Sequence, residues 1–111
     1  MRTERQQVGT VDVLTPVGAL VDQDAEAFSK ILLKRVQSPN SRVVVSLHEV
    51  PYMDSTAVEG LLDATDELSD RAASLKLANV PPTCREILEL TGVSTKFSFF
   101  ENVQDAVKSF L

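Results

Sequence analysis

At 111 residues, with 43% hydrophobic and 24% charged side chains, the chain has the size and composition of one globular domain able to bury a single core. A formal net charge of −5 argues against a nucleic-acid surface, and the apolar runs fall far short of the roughly 20 residues that span a bilayer. One cysteine, Cys84, excludes an internal disulfide, and no apolar segment follows Met1-Arg2, so a cytoplasmic protein without a secretory signal is expected.

Met1 to Gln7 is polar and reads as a frayed end or a short edge strand. Val8 to Leu14 alternates loosely, with Val11 and Val13 on one side, and reads as a strand that Thr15-Pro16 breaks. A tight turn there leads to a second strand, Val17 to Leu20, in which Gly18 allows a bulge or a close backbone approach. Asp22 or Asp24 then caps a helix whose apolar stripe is Ala25, Phe28, Ile31, Leu32 and Val36, and Ser38-Pro39-Asn40 ends it.

Val43 to Leu62 is the stretch around which the rest is arranged. Arg42 to Leu47 carries a continuous Val run, the pattern of a strand covered on both faces in the middle of an α/β sheet. Pro51 has no N–H to give a ladder. Asp54, Ser55 and Thr56 then stand in a row, each a favoured cap because its side-chain oxygen accepts from an unpaired first-turn N–H. Thr56 to Glu59 matches a capping box, with Asp54 or Ser55 as equal alternatives for the cap. One cap is needed and three candidates are present, so the junction is expected to do more than cap. Val58, Leu61, Leu62, Thr65 and Leu68 recur at helical spacing and face the sheet, while Glu59, Asp63, Asp66, Glu67 and Asp70 are solvated.

Leu75 to Val80 reads as the next strand. Pro81-Pro82 opens a helix with Cys84, Ile87, Leu88 and Thr91 on one face and Gly92 just past its end. Phe97 to Phe100 is a final strand, and Asn102 caps a last helix with Val103, Ala106, Val107 and Phe110 inward. The order ββαβαβαβα predicts an α/β fold: a small mixed sheet with packed helices, in one domain over residues 1–111.

The hexapeptide Tyr52-Met53-Asp54-Ser55-Thr56-Ala57, placed after a Val-rich strand, resembles the signature of STAS domains, the fold of bacterial anti-sigma factor antagonists. The resemblance runs from about Val11 to the C-terminus. It implies that Ser55 is the phosphorylated residue, with Asp54 positioning its hydroxyl, and that Asp22, Asp54, Ser55, Thr56 and Glu59 belong to a partner surface. Two segments depart from the pattern. Gly18-Ala19-Leu20-Val21-Asp22 has one residue more than the usual Gly-Glu-Leu-Asp-like segment and lacks its Glu, and Ala57-Val58-Glu59 stands where Gly-Leu-Gly is common. Both lie near the family's partner surface.

The surrounding chemistry is consistent with a binding module. A surface hydroxyl at a helix N-terminus is a favourable place for a phosphate, although Asp54 and Glu59 oppose it. No phosphate-cradling Gly loop, metal-ligand spacing or Ser–His–acid constellation appears, His48 has no second ligand beside it, and Cys84 reads as a small core residue. The resemblance implies a non-enzymatic regulator without a cofactor, whose partners are an anti-sigma factor that is also a serine kinase and a phosphoserine phosphatase. ATP and Mg²⁺ belong to the kinase, and neither nucleic acid nor membrane insertion is expected. Two alternatives remain open: a STAS scaffold or transporter-associated subunit without a phosphorylation cycle, and a small-ligand or nucleotide sensor.

Overall fold

A computed structural model describes residues 2–111. In chain order it contains β1 (Arg2–Val8), β2 (Val11–Val17), α1 (Asp22–Gln37), β3 (Val43–Ser46), α2 (Ser55–Ser69), β4 (Leu75–Ala78), α3 (Pro82–Leu90), β5 (Phe97–Phe100) and α4 (Val103–Lys108), with a 3₁₀ turn at Ser94–Lys96 before β5. This is the expected ββαβαβαβα order. The strands form one five-stranded sheet in the order β1-β2-β3-β4-β5. β1 runs antiparallel to β2 and all other pairings are parallel, so the sheet is mixed and β3 lies at its centre.

The Val run of β3 is buried on both faces, as its lack of alternation requires. Val43 and Val45 face a core formed with α1, α2 and the Cys84–Leu88 face of α3. Val44 faces a second core, where Val11, Val13 and Ala78 meet Ala106 of α4, with Val103, Val107 and Phe110 packed against it. α1 contributes Ala25, Phe28, Leu32 and Val36, whereas Ile31, expected in the same stripe, points outward and is exposed. The predicted inward face of α2 is correct: Val58, Leu61, Thr65 and Leu68 are buried and Leu62 is partly so. Thr65 satisfies its buried hydroxyl by donating to the Lys96 carbonyl and accepting from the Leu75 N–H. α3 ends as Gly92 implied, since its φ of +75° admits the paired bonds Gly92 N–H to Glu89 O and Val93 N–H to Leu88 O.

The opening hairpin differs from the sequence reading. The turn lies at Gly9-Thr10, where Gly9 takes a φ of +62°, and Thr15-Pro16 lies inside β2. β1 accordingly takes in Arg2 to Val8; Met1 lies outside the described residues. Pro16 is tolerated for a local reason. The Asp12 N–H points to β3, donating to Arg42 O, and so by alternation would an N–H at residue 16. β2 stops pairing with β3 at Leu14↔Val45, so the missing N–H removes no ladder bond.

Val17 to Leu20 is therefore not a second strand. It continues beside the loop after β3, with Gly18 N–H donating to Glu49 O and Leu20 N–H to Tyr52 O. Leu20 and Met53 form an isolated parallel bridge, closed by Asp54 N–H to Leu20 O. β4 also ends two residues early, at Ala78, because Asn79 turns out of the strand with a φ of +54°.

Candidate functional site

The crossover from β3 to α2 passes through Leu47–Asp54 at the C-terminal end of the central strand. The loop is anchored from below, with Leu47, Val50 and Met53 all buried, so its backbone has little freedom. Cys84, buried in α3, lies with its Sγ 3.4 Å from the Val50 carbonyl and adds to that floor. His48 is exposed and its Nδ1 lies 2.9 Å from the Ser46 hydroxyl, which also accepts from the Asn79 amide. This arrangement satisfies a buried serine and gives His48 a structural role.

Asp54 is the N-cap of α2. Its backbone is extended, and one carboxylate oxygen accepts from Ala57 N–H at 3.1 Å. The other accepts from Asp22 N–H at 2.8 Å, across to the start of α1. The Asp22 amide is the main cause that holds the Asp54 carboxyl below its ordinary value of 3.8; desolvation opposes it, and the Ala57 and Thr56 amides reinforce it.

This corrects two expectations. Thr56 is not the cap and no capping box forms, because Thr56 lies at the second helical position and Glu59 stands exposed one turn beyond Ser55. Asp22 and Asp24 do not cap α1 either. The cap position is Val21 without a side-chain bond, and Asp22 is the first helical residue, with a φ of +49°. A left-handed conformation at a non-glycine residue is one that surrounding structure must hold. Here the bond from its own N–H to Asp54 is part of what holds it.

Ser55 is the first residue of α2 and is exposed. Thr56 is partly buried beside it, Tyr52 is exposed just before it, and Asp22 is exposed at the facing start of α1. The fold thus brings Asp22, Asp54, Ser55 and Thr56 to one end of the sheet, with Glu59 one turn further along α2. From there a groove of about 390 Å³ runs between α1 and α2, lined among others by Ser29, Lys30, Thr56, Glu59 and Gly60. Sequence reasoning missed two of its features. Gly60 lets the helices touch: a Cβ built there would stand 2.6 Å from Ser29 Cβ. Leu20 and Met53 join the two loops of the site. An isolated Gly in a helical pattern was the available signal for the first; nothing local signalled the second.

Among the described residues no group of His, Cys, Asp or Glu side chains is arranged to hold a metal ion, and no helix is long and apolar enough to cross a membrane. What the geometry defines is a small α/β domain presenting a serine at a helix N-terminus, on a rigid loop. A family model for the STAS domain matches residues 2–106. The chain belongs to the STAS domain family.

Solved structures share the fold at low identity. A Thermotoga maritima protein described as an anti-sigma factor antagonist superposes with a TM-score of 0.86 at 17% identity, covering 96% of this chain and 92% of its own. The Bacillus cell fate determinant SpoIIAA, solved in its phosphorylated form, gives 0.75 at 18%, covering 99% and 100%. The murine anion transporter Slc26a9 gives 0.76 at 16% over 94% of this chain and 18% of its own. No curated protein matches the sequence.

Proposed function

We propose that this chain is a regulatory binding module of the anti-sigma factor antagonist kind, switched by phosphate on Ser55. In this reading it acts in the cytoplasm as one domain, without catalysis or a cofactor of its own. Its unphosphorylated form binds an anti-sigma factor that is also a serine kinase, thereby freeing the sigma factor, and a phosphoserine phosphatase resets it. Asp22, Asp54, Thr56 and Glu59 surround Ser55 in the contact surface.

The observation that carries the reading is the placement of Ser55: exposed, first in α2, and directly after a cap whose carboxylate is already committed to two backbone amides. A phosphate there adds about −1.5 to −2 charge at a helix N-terminus, at little cost to the fold. The cost falls on the complex, where the dianion must lose water and face Asp54, Glu59 and acidic groups of the partner. Leaving a buried charge unpaired in an interface costs about 2–5 kcal/mol, or roughly 30-fold to several thousand-fold in affinity. Calorimetric titration of the partner with wild-type, Ser55-phosphorylated, Ser55→Asp and Ser55→Ala protein tests this. Affinity should fall most for the phosphoprotein, less for Ser55→Asp, and stay near wild type for Ser55→Ala. Equal affinity of the wild type and the phosphoprotein would rule out a binding switch at Ser55.

That outcome would favour a second reading, a STAS scaffold or transporter-associated subunit that uses the same surface without a phosphorylation cycle. The occurrence of this fold within the Slc26a9 transporter chain lends it support.

A further inference from the structure

The opposite end of the sheet, below the first residues of β3 and β4, carries chemistry unlike that of the Ser55 end. A pocket of about 310 Å³ opens there between the C-terminal end of α2 and Phe110 just beyond α4. Its floor is apolar, from Val43, Leu68 and Phe110, and its wall carries the Ser41 and Ser74 hydroxyls and Lys76. The Lys76 ammonium lies over two aromatic rings, 4.5 Å from the Phe110 centroid and 5.3 Å from that of Phe100. Burial lowers its pKa, the mark of a cation partly withdrawn from water without a counter-charge.

Two guanidinium groups outside the lining contact residues that form it. Arg71 donates to the hydroxyl of the lining residue Ser41 at 3.0 Å and to the Val36 carbonyl at 2.7 Å, which fixes it next to Ser41. Arg42 donates to the Thr10 hydroxyl and lies 6.0 Å from the Phe110 ring centroid. The ion pairs formed among the described residues involve other cations, namely Arg2, Arg5, Arg35 and Arg85. A pocket with an apolar floor whose lining holds a lysine and no carboxylate, with Arg71 bonded to one of its hydroxyls, forms a site for an anion that carries an apolar body.

We propose that this pocket binds a small organic anion, a carboxylate or phosphate monoester on an aromatic or short aliphatic body, with the anionic group on Lys76 and Arg71 and the body on Phe110, Leu68 and Val43. Such a ligand returns a counter-charge to Lys76 and covers the exposed part of the pocket floor. The site is independent of Ser55, which follows the other end of β3.

Phenyl phosphate is the probe, added to ¹⁵N-labelled full chain and followed by amide chemical shifts. Saturable shifts are expected at Ser41, Ala73, Ser74 and Lys76 below about 10 mM, as suits a ligand of this size. Lys76→Met, which keeps length and removes charge, should weaken binding by about tenfold or more. Ala73→Leu, which fills the mouth and leaves every cation in place, should weaken it similarly, so the result does not hang on one variant's folding. Ser55→Asp should bind as wild type does. Absence of saturable shifts, undiminished binding by Lys76→Met and Ala73→Leu when both retain a native amide spectrum, or inorganic phosphate binding as tightly as phenyl phosphate would each overturn the proposal.

Discussion

The Asp54 carboxylate accepts from the N–H of Asp22, 32 residues earlier in the chain, and from Ala57 in its own helix. One side chain therefore both starts α2 and pins the start of α1 beside Ser55. Removing it with Asp54→Ala should free both amides. Hydrogen exchange at Asp22 and Ala57 should accelerate by about tenfold or more, with amides in β3 unaffected. The pH dependence follows from the sign of the shift. The folded carboxyl titrates below its ordinary 3.8, so the stability it contributes is complete above that value and is lost as pH falls through the lower, folded one. Asp54→Asn, which keeps an acceptor oxygen and cannot titrate, should show a shallower loss of urea midpoint between about pH 5 and pH 3 than wild type. Ser55 bears no structural bond of this kind, and Ser55→Asp should leave the melting temperature within about 2–4 °C of wild type.

α1 and α2 cross the same face of the sheet, and their closest approach is at Gly60. A methyl group there meets the Ser29 hydroxyl first and, behind it, Ser29 Cβ, which is close to the α1 backbone and cannot rotate away. Gly60→Ala should thus destabilise by about 1–3 kcal/mol despite the better helix propensity of alanine. Ser29→Ala should fail to rescue it, because the Cβ remains. Ser29→Gly should rescue it in part, so that the double variant costs less than the sum of the singles, as denaturation of the four proteins will measure. Since this contact sets the width of the groove leading from Ser55, Gly60→Ala should also weaken partner binding if the partner lies in that groove.

The whole molecule is a sheet with two unequal covers. α1, α2 and α3 bury the larger core, and α4 alone covers the other face. Leu77 is fully buried in the larger one, and Leu77→Ala should cost about 2–5 kcal/mol, whereas Leu90→Ala, at a side chain 78% exposed, should stay within about 0.5 kcal/mol. Cys84 reports the same integrity without mutation. It is fully buried and burial raises its thiol pKa, so a thiol reagent at about pH 8 should react only as the fold opens, with a rate that rises in urea in step with global unfolding. Rapid labelling in the absence of denaturant would show that α3 opens by itself.

Much of this architecture was legible in local patterns. The β-branched run of β3 announced a strand buried on both faces, helical spacing identified the inner face of α2, and Gly92 and Asn102 marked a helix end and a helix start, because each signal is written in residues close together in the chain. The place of the candidate site was legible in the same way: Asp54-Ser55-Thr56 marked the strand-to-helix junction, and Ser55 is exposed at its first helical turn. What the sequence left open was settled between segments far apart. Three adjacent favoured caps could not be told apart until the fold set Asp54 to accept from Ala57 in its own helix and from Asp22 at the start of α1. Pro16 resembled a break until the register showed that its absent N–H faces a side where β2 has stopped pairing. The contact of Gly60 with Ser29, the bridge of Leu20 to Met53 and the meeting of Ser41, Lys76 and Phe110 in one pocket are likewise products of packing. Propensity and periodicity act over a few residues and choose the elements; hydrogen-bond partners, helix contacts and the grouping of charges arise only when the sheet brings those elements together.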